Sequence, residues 1–392
     1  MTELKELRVP SRILMGPGPS DVPPAVLQAM AMPLLGHLDP AFLEIMNDIM
    51  DQLRILFGTS NRLTLPMSGT GSAGMETAMV NVLEPGDTII IGVCGVFGQR
   101  MVDVAQRCGA TVIPVEAAWG EAIDPVRVKE ALERNPGVKA VAVVHAETST
   151  GVRQPLKEIG RLAHEHGALY IVDAVTSLGG IPVDVDANGI DVCYSGTQKC
   201  ISAPPGLSPV TMNERAAERL RSRKTKVQSW YLDLNMIQNY WGSERVYHHT
   251  APISMNYALR EALRLISTEG IEACHQRHAL LGRALQTGLQ AMGLSMHVRE
   301  EIRLPQLTLA TVPEGVDEAA VRRRLLEDFG IEISGGLGVL KGKVWRIGLL
   351  GHSCRERNVV LFLTALEHIL KSQGCPIRTG VAVDAAMSVI HP

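Results

Sequence analysis

The sequence contains no block of about five or six like charges, and its net charge is only −3. Nucleic acid and anionic membrane surfaces call for concentrated basic segments, so neither is expected as a partner. The densest basic stretch, "RLRSRKTK" (Arg219 to Lys226), reads as a solvated helix end. There is no run of about 18 apolar residues, which excludes a predicted membrane-spanning helix. The opening "MTELKELRVPSRILMGPGPS" has no continuous apolar segment and the closing "VIHP" no targeting pattern, so no secretory signal is predicted and a cytoplasmic location is expected. The seven cysteines are scattered, odd in number and never spaced as CxxC. They fit reduced thiols better than a disulfide framework. "HQRH" (His275 and His278) puts two imidazoles at helical spacing, but no carboxylate or cysteine completes a ligand set, and no metal is expected. Internal repeats and low-complexity segments are absent.

What is present is the material of a large globular protein. Of 392 residues, 46% are hydrophobic and 20% charged, which suits about two or three domains with substantial cores. From Thr64 to Pro209, short apolar runs alternate with amphipathic stretches. "DTIIIGV", "ATVIPVE", "VKAVAVVHAE" and "ALYIVDAV" read as strands. "GQRMVDVAQRCG", "DPVRVKEALERNPG" and "LKEIGRLAHEHG" read as helices between them. This alternation predicts an α/β fold whose parallel sheet has helices on both faces and whose ligands sit at the carboxyl ends of the strands. Two long helices are predicted over 254–270 and 271–293. After Gly293 the pattern changes to "LPQLTLATV", "DEAAVRRRLLEDFG", "IEISGG" and "KVWRIGLLG", with a final helix near Arg357 to Gln373, which predicts a smaller α+β unit.

Three features carry candidate chemistry. Lys199, in "YSGTQKCISAPPG", follows the apolar run "IDVCY". A lysine carried from a strand end into a crowded turn is partly desolvated, which lowers its pKa and makes it a nucleophile able to trap an aldehyde as a Schiff base. A surface lysine on a loop is the plain alternative. Asp173 ends the apolar run "YIVDAV" and can pair with a protonated ring nitrogen, or simply cap a helix. "SGTGSAGMETAMVNVL" places glycines and hydroxyls before a helical segment, where backbone N–H groups can cradle a phosphate, or where they form an ordinary turn. It is neither a dinucleotide fingerprint nor a Walker loop. Together the three make a site suited to pyridoxal 5'-phosphate.

Through "LMGPGPS", "SGTGSAGMETAMVNVLEPGD", "GVFGQR", "HAETSTGV", "IVDAVTSLGG", "YSGTQKCISAPPG", "SRKTK", "YLDL", "YHHT" and "WRIGLLG", the chain resembles the class V, fold type I aminotransferases of the alanine–glyoxylate and serine–pyruvate branch. The resemblance covers nearly the whole chain. It implies a mostly parallel seven-stranded sheet in a large cofactor-binding domain (21–270), after an N-terminal arm (1–20) and before a small domain (271–392). It further implies Lys199 as the Schiff-base lysine and proton carrier, with Asp173 at the pyridinium nitrogen. Thr70, Gly71, Ser72 and Gln198 would lie at the phosphate, and Thr148 at the ring oxygen. Phe97 would stack on the ring where many relatives carry tryptophan. Tyr247 and Thr250 would reach the phosphate in the neighbouring subunit, making a homodimer with shared sites. Arg346 would clamp the substrate carboxylate; a strand-edge salt bridge is its alternative. Gly18, His37 and Trp230 would line a small substrate pocket.

The implied reaction moves an amino group from alanine or serine to glyoxylate by a ping-pong route, the small-molecule partners being an amino acid and a 2-oxo acid. "GTQKC", "NERAAERL" and "HSCRERNV" look at least as close to the (S)-ureidoglycine–glyoxylate aminotransferases of purine catabolism. That branch carries amide side chains near the donor, where this chain aligns His37 and Trp230. Two further rivals are a lyase or desulfurase using Cys354, and a cofactor-free protein binding a small acid.

Overall fold

The computed structural model describes residues 4–392; residues 1–3, the start of the predicted N-terminal arm, lie outside the described residues. Its centre is a seven-stranded sheet of β1 (Leu63–Ser68), β2 (Thr88–Val93), β3 (Thr111–Glu116), β4 (Ala140–Val144), β5 (Leu169–Asp173), β6 (Val192–Tyr194) and β7 (Leu207–Met212). The strand order is β1-β7-β6-β5-β4-β2-β3. Strand β7 runs antiparallel to both of its neighbours, and the remaining pairs are parallel.

The strands read as continuous apolar runs because both faces are covered, as parallel sheets require. Successive side chains of β2 serve opposite cores. Ile89 and Ile91 pack with Met79 and Met101, whereas Ile90 packs with Val128 and Ile159. The covering helices start and stop where local chemistry dictates. Helix α1 (Pro40–Phe57) is capped by the Asp39 side chain, which accepts from Ala41 N, and ends on Gly58 in the left-handed region. Helices α2 (Gly71–Val82) and α3 (Val96–Arg107) follow β1 and β2. Helix α4 (Pro125–Arg134) has Asp124 as its cap and Pro125 in its first turn, a pairing that satisfies a free N–H and presets φ. Helix α5 (Lys157–Glu165) joins β4 to β5.

Helices α6 (Ile253–Glu269) and α7 (Ile271–Met292) meet at Gly270, whose φ is 91°. Ala258 and Leu259 of α6 belong to the core on one face of the large sheet. Leu281 and Leu285 of α7 belong to a separate core with Met15, Trp345 and Phe362. That second core rests on a three-stranded antiparallel sheet of β8 (Leu307–Thr311), β9 (Ser334–Gly335) and β10 (Val344–Gly348), with β10 central. Ile13 and Leu14 pair with Ile331 and Glu332, which ties the start of the chain to this second core.

The alternation read between Thr64 and Pro209 matches the observed elements closely. Helix α1 and the helices Pro24–Met30, Leu234–Trp241 and Ala382–Ile390 were not among the expected elements. Among the described residues, no helix is long and apolar enough to cross a membrane.

Candidate active site

The parallel strands converge on one edge, and the chemically interesting residues follow their carboxyl ends. Lys199 lies in the loop between β6 and β7, which crosses back without a helix. Its Nζ donates to the carbonyl of Pro17 at 2.6 Å. Burial lowers the Lys199 pKa to about 8; Arg346 pushes the same way, while Cys200 and Asp173 oppose it. Ser20 fixes the lysine main chain from the other side, donating from its Oγ to Lys199 O at 2.7 Å. Gly18 lies directly on the lysine: a Cβ there would stand 2.6 Å from Lys199 Cδ, and its φ of 118° already favours glycine.

Asp173 is the last residue of β5 and is buried. Its Oδ1 accepts from Val175 N at 2.8 Å. Burial raises its pKa to about 7, against the Val175 hydrogen bond, Tyr194 and Lys199, which lower it. A carboxylate so desolvated gains from a nearby cation.

Helix α2 points its first turn at the same edge. Thr70 is its extended N-cap and makes no side-chain cap bond, so the first N–H groups stay available. Thr70 and Ser72 are exposed and Gly71 is buried. A Cβ on Gly71 would stand 3.1 Å from Val175 Cγ2 and 3.7 Å from Gly196 Cα, and one on Gly196 would stand 2.9 Å from Gln198 Oε1. Among the described residues that Gln198 oxygen is buried without a hydrogen-bond partner.

Arg346 comes from the centre of β10, in the second core. Its Nε donates to Gly335 O at 2.7 Å and its Nη1 to Thr148 O at 3.2 Å. The residue is buried, and its pKa falls to about 10 through burial, opposed by Glu147. No salt bridge to Arg346 occurs among the described residues, so the strand-edge pair considered from the sequence does not form. Thr148 is buried, and Phe97 sits half-buried in the first turn of α3 with the Arg100 guanidinium 5.0 Å from its ring centre.

The remaining candidates form a second neighbourhood. The Tyr247 hydroxyl lies 3.4 Å from Thr250 Oγ1, and its ring centre 4.9 Å from that of His37. Trp230 stacks on His248 at 4.2 Å. These contacts reach the first neighbourhood through His249, whose Nε2 lies 2.9 Å from Ser68 Oγ at the end of β1. Tyr247 is 53% exposed and Trp230 58%. None of the hydrogen bonds or ring contacts of His37, Trp230, Tyr247 or Thr250 among the described residues reaches Lys199, Asp173 or Arg346.

One buried residue escaped the sequence reading. Glu147 accepts four hydrogen bonds, from the main chain of Phe97, Gly98 and Ser149 and from the Ser149 hydroxyl. Its signal was the one that exposed Asp173, a carboxylate at the end of an apolar, β-branched run, but "VKAVAVVHAE" was read only as a strand.

His278 is spent within the fold: Nδ1 lies 2.6 Å from Cys274 O, and Nε2 accepts from Gly351 N at 3.0 Å. Among the described residues no group of three or more His, Cys, Asp or Glu could hold a metal. The Cys354 thiol is buried, and its pKa is pushed up to about 12 by burial, which makes it a poor nucleophile.

A doubly covered α/β sheet with a buried lysine and aspartate at its carboxyl edge defines a class of enzyme that works through an aldehyde cofactor. The aminotransferase class-V model matches residues 13–356, and the chain belongs to that family. It is similar to a ureidoglycine–glyoxylate aminotransferase from Bacillus subtilis, with a TM-score of 0.97 and 43% identity over 99% of this chain and 100% of that one. It is similar to an alanine–glyoxylate aminotransferase from Nostoc sp., with a TM-score of 0.92 and 53% identity over 94% and 97%. An alanine–glyoxylate aminotransferase of Callithrix jacchus is 43% identical over 95% of this chain and 90% of its own length. The chain is therefore a fold type I aminotransferase, and its cofactor is pyridoxal 5'-phosphate.

The residues present suit that group. The first turn of α2 offers unused N–H groups, the Gln198 oxygen is buried and unpaired, and Asp173 is a desolvated acid. The N–H groups could donate to a phosphate and Asp173 could pair with a protonated ring nitrogen, whereas the Gln198 oxygen is an acceptor, so only its amide NH2 could serve a phosphate.

Proposed function

We propose that this enzyme moves the amino group of a small amino acid, alanine or serine, to glyoxylate. The observation that carries the reading is Arg346: a buried guanidinium without a carboxylate partner among the described residues, on the same site as Lys199. Glu147 offsets part of the cost of burying this cation, but no carboxylate forms a salt bridge with it among the described residues, and a substrate carboxylate would supply charge-assisted hydrogen bonds. Glyoxylate is common to the names of the Nostoc, Callithrix and Bacillus proteins.

When bound, pyridoxal 5'-phosphate supplies an electrophilic aldehyde carbon and an electron sink. The chain's residues supply the rest. Thr70, Gly71, Ser72 and Gln198 would hold the phosphate end, Phe97 would cover one ring face, and Thr148 would lie toward the ring oxygen. Asp173 would keep a proton on the ring nitrogen. Lys199 Nζ would anchor the cofactor and, when free, would carry the proton lost from the substrate Cα. A pKa near 8 lets it serve as base and acid close to neutral pH. A side chain at Gly18 would collide with Lys199, so glycine there would leave the lysine room to move.

The working unit in this reading is a homodimer with shared sites. Tyr247 and Thr250 would grip the phosphate in the partner subunit, and His37 and Trp230 would border the partner's substrate. Support comes from the exposure of Leu34, Leu38, Trp230, Tyr231, Val246 and Tyr247, large side chains gathered from segments that a second surface would cover. The seven cysteines are free thiols, which supports a reducing, cytoplasmic setting.

A second reading, (S)-ureidoglycine–glyoxylate transamination in purine catabolism, is favoured by the likeness to the Bacillus protein over nearly all of both chains. Against it, His37 and Trp230 offer no amide to a ureido group, and an unmatched buried polar group costs about 1–3 kcal/mol. A donor panel with glyoxylate as acceptor separates the two. Alanine or serine is expected to exceed ureidoglycine in kcat/KM; a tenfold advantage for ureidoglycine would establish the second reading instead.

A further inference from the structure

Glu147 is buried at the carboxyl edge of the sheet yet touches neither Lys199 nor Asp173 in any hydrogen bond among the described residues. Its two oxygens divide their work. Oε2 accepts from Phe97 N at 3.1 Å and Gly98 N at 3.3 Å, two of the first N–H groups of α3. Oε1 accepts from Ser149 N at 3.1 Å and Ser149 Oγ at 2.5 Å. Ser149 Oγ in turn accepts from Val96 N at 2.9 Å. One carboxylate therefore staples the start of α3 to the 147–149 turn. The fit is tight: a Cβ on Gly95 would stand 2.6 Å from both Cγ and Cδ of Glu147.

Each stapled segment carries a different part of the site. The α3 start carries Phe97. The turn carries Thr148, whose carbonyl receives Arg346 Nη1. Burial raises the Glu147 pKa, and the hydrogen bonds from Ser149, Gly98 and Phe97 oppose that rise; four donors aimed at two oxygens favour the carboxylate, since a protonated acid would give up an acceptor position. The N-terminus of α3 stabilises that charge, and Glu147 in turn raises the pKa of Arg346 against the effect of burial.

We propose that Glu147 is a positioning residue that sets, through one carboxylate, both the Phe97 wall of the cofactor site and the Arg346 clamp for the substrate carboxylate. This rests on the aminotransferase reading of Phe97 and Arg346 above, and deepens it. Glu147→Gln keeps size but turns one acceptor into a donor facing N–H groups. Either half of the staple is then broken, whichever way the amide turns.

The experiment uses the holoenzyme and its apo-form. Glu147→Gln should raise KM for amino donor and 2-oxo acid alike, about ten- to a hundredfold, with a smaller fall in kcat. Fluorescence titration of the apo-form should show weaker cofactor binding, by about tenfold. The decisive readout is a double-mutant cycle with Arg346→Ala. If Glu147 acts through the clamp, its substitution adds little further loss of kcat/KM once Arg346 is gone. Full additivity of the two losses, or an unchanged KM in Glu147→Gln, overturns the proposal. Should Glu147→Gln fail to fold, Ser149→Ala removes one donor to Glu147 and the acceptor for Val96, and must reproduce the KM pattern in smaller measure; an unchanged KM there overturns it equally. Failure of the underlying reading would look different, because the wild-type enzyme itself would then show no transamination of glyoxylate.

Discussion

Around Lys199 the protein desolvates its charges, whereas around Trp230 and Tyr247 it leaves large rings in water. The lysine pocket draws Lys199, Asp173 and Arg346 together and shifts each toward its neutral form by burial. The rim pairs Tyr247 with His37 and Trp230 with His248, and leaves Tyr247 and Trp230 more than half exposed. Desolvation is what tunes a proton-transfer group, and a single chain can provide it. Large rings left in water are what a second surface would cover in the proposed dimer. One chain gathers the buried groups, and the proposed dimer would cover the exposed rings.

That contrast can be broken most directly at its centre. Lys199→Ala should reduce transamination by about a thousandfold or more if, as proposed, Lys199 is both the attachment point and the general acid–base. The circular dichroism spectrum should stay native, because the only hydrogen bond Lys199 Nζ makes within the described chain is to Pro17 O. Borohydride treatment of the wild-type holoenzyme should fix the cofactor to the peptide containing Lys199, and labelling elsewhere would remove Lys199 from its role. Arg346→Ala should cost about 1.5–3 kcal/mol of substrate binding, the worth of a hydrogen bond to a charged group. Steady-state kinetics should show this as a rise in KM for donor and acceptor together. A rise for only one of them would break the idea of a common clamp.

The rim is tested by mixing subunits. A Lys199→Ala protomer combined with a Tyr247→Phe/Thr250→Ala protomer should regain activity above either parent, because one site of each heterodimer is then free of both defects. Proven subunit exchange without recovery would place the rim's function within its own chain.

The smallest effect sharpens the electrostatic half of the comparison. The Asp173 pKa rises on folding to about 7, chiefly through burial. Between the ordinary aspartate range and pH 7, the folded apo-form thus binds the proton that the unfolded chain has released. Stability of the apo-form should therefore fall as pH rises from about 4 to 7. Asp173→Asn removes the titration, so the thermal unfolding temperature of its apo-form should change less across that window. An equal slope in both proteins would mean that Asp173 is not desolvated as described.

The strands β2 to β5 were legible because each is a short apolar run between helical stretches that end at Gly or Pro-Gly. Lys199 and Asp173 were legible for a related reason, each following or ending such a run. Glu147 obeyed the same rule and was passed over, because its run continues into "HAE" and reads as strand throughout. Helix α1 went unread although Asp39 and Pro40 mark its start, and Ala382–Ile390 follows a stretch without a strong periodic lead. The exposure of Trp230 and Tyr247 had no sequence signal, since aromatic side chains are as readily buried as not.

The sequence by itself determined the alternation of strands and helices between Thr64 and Pro209, the strand-end placement of Lys199 and Asp173, and the glycine-rich start of α2, because these depend on periodicity and on neighbours a few residues away. Only the tertiary structure decided what those groups meet. Lys199 reaches Pro17 across 182 positions, and Arg346 reaches Thr148 across 198. Burial, and with it the pKa of every group in the pocket, arises when such distant segments close over one another and exclude water. That is a property of the packed chain, which no local stretch of residues contains.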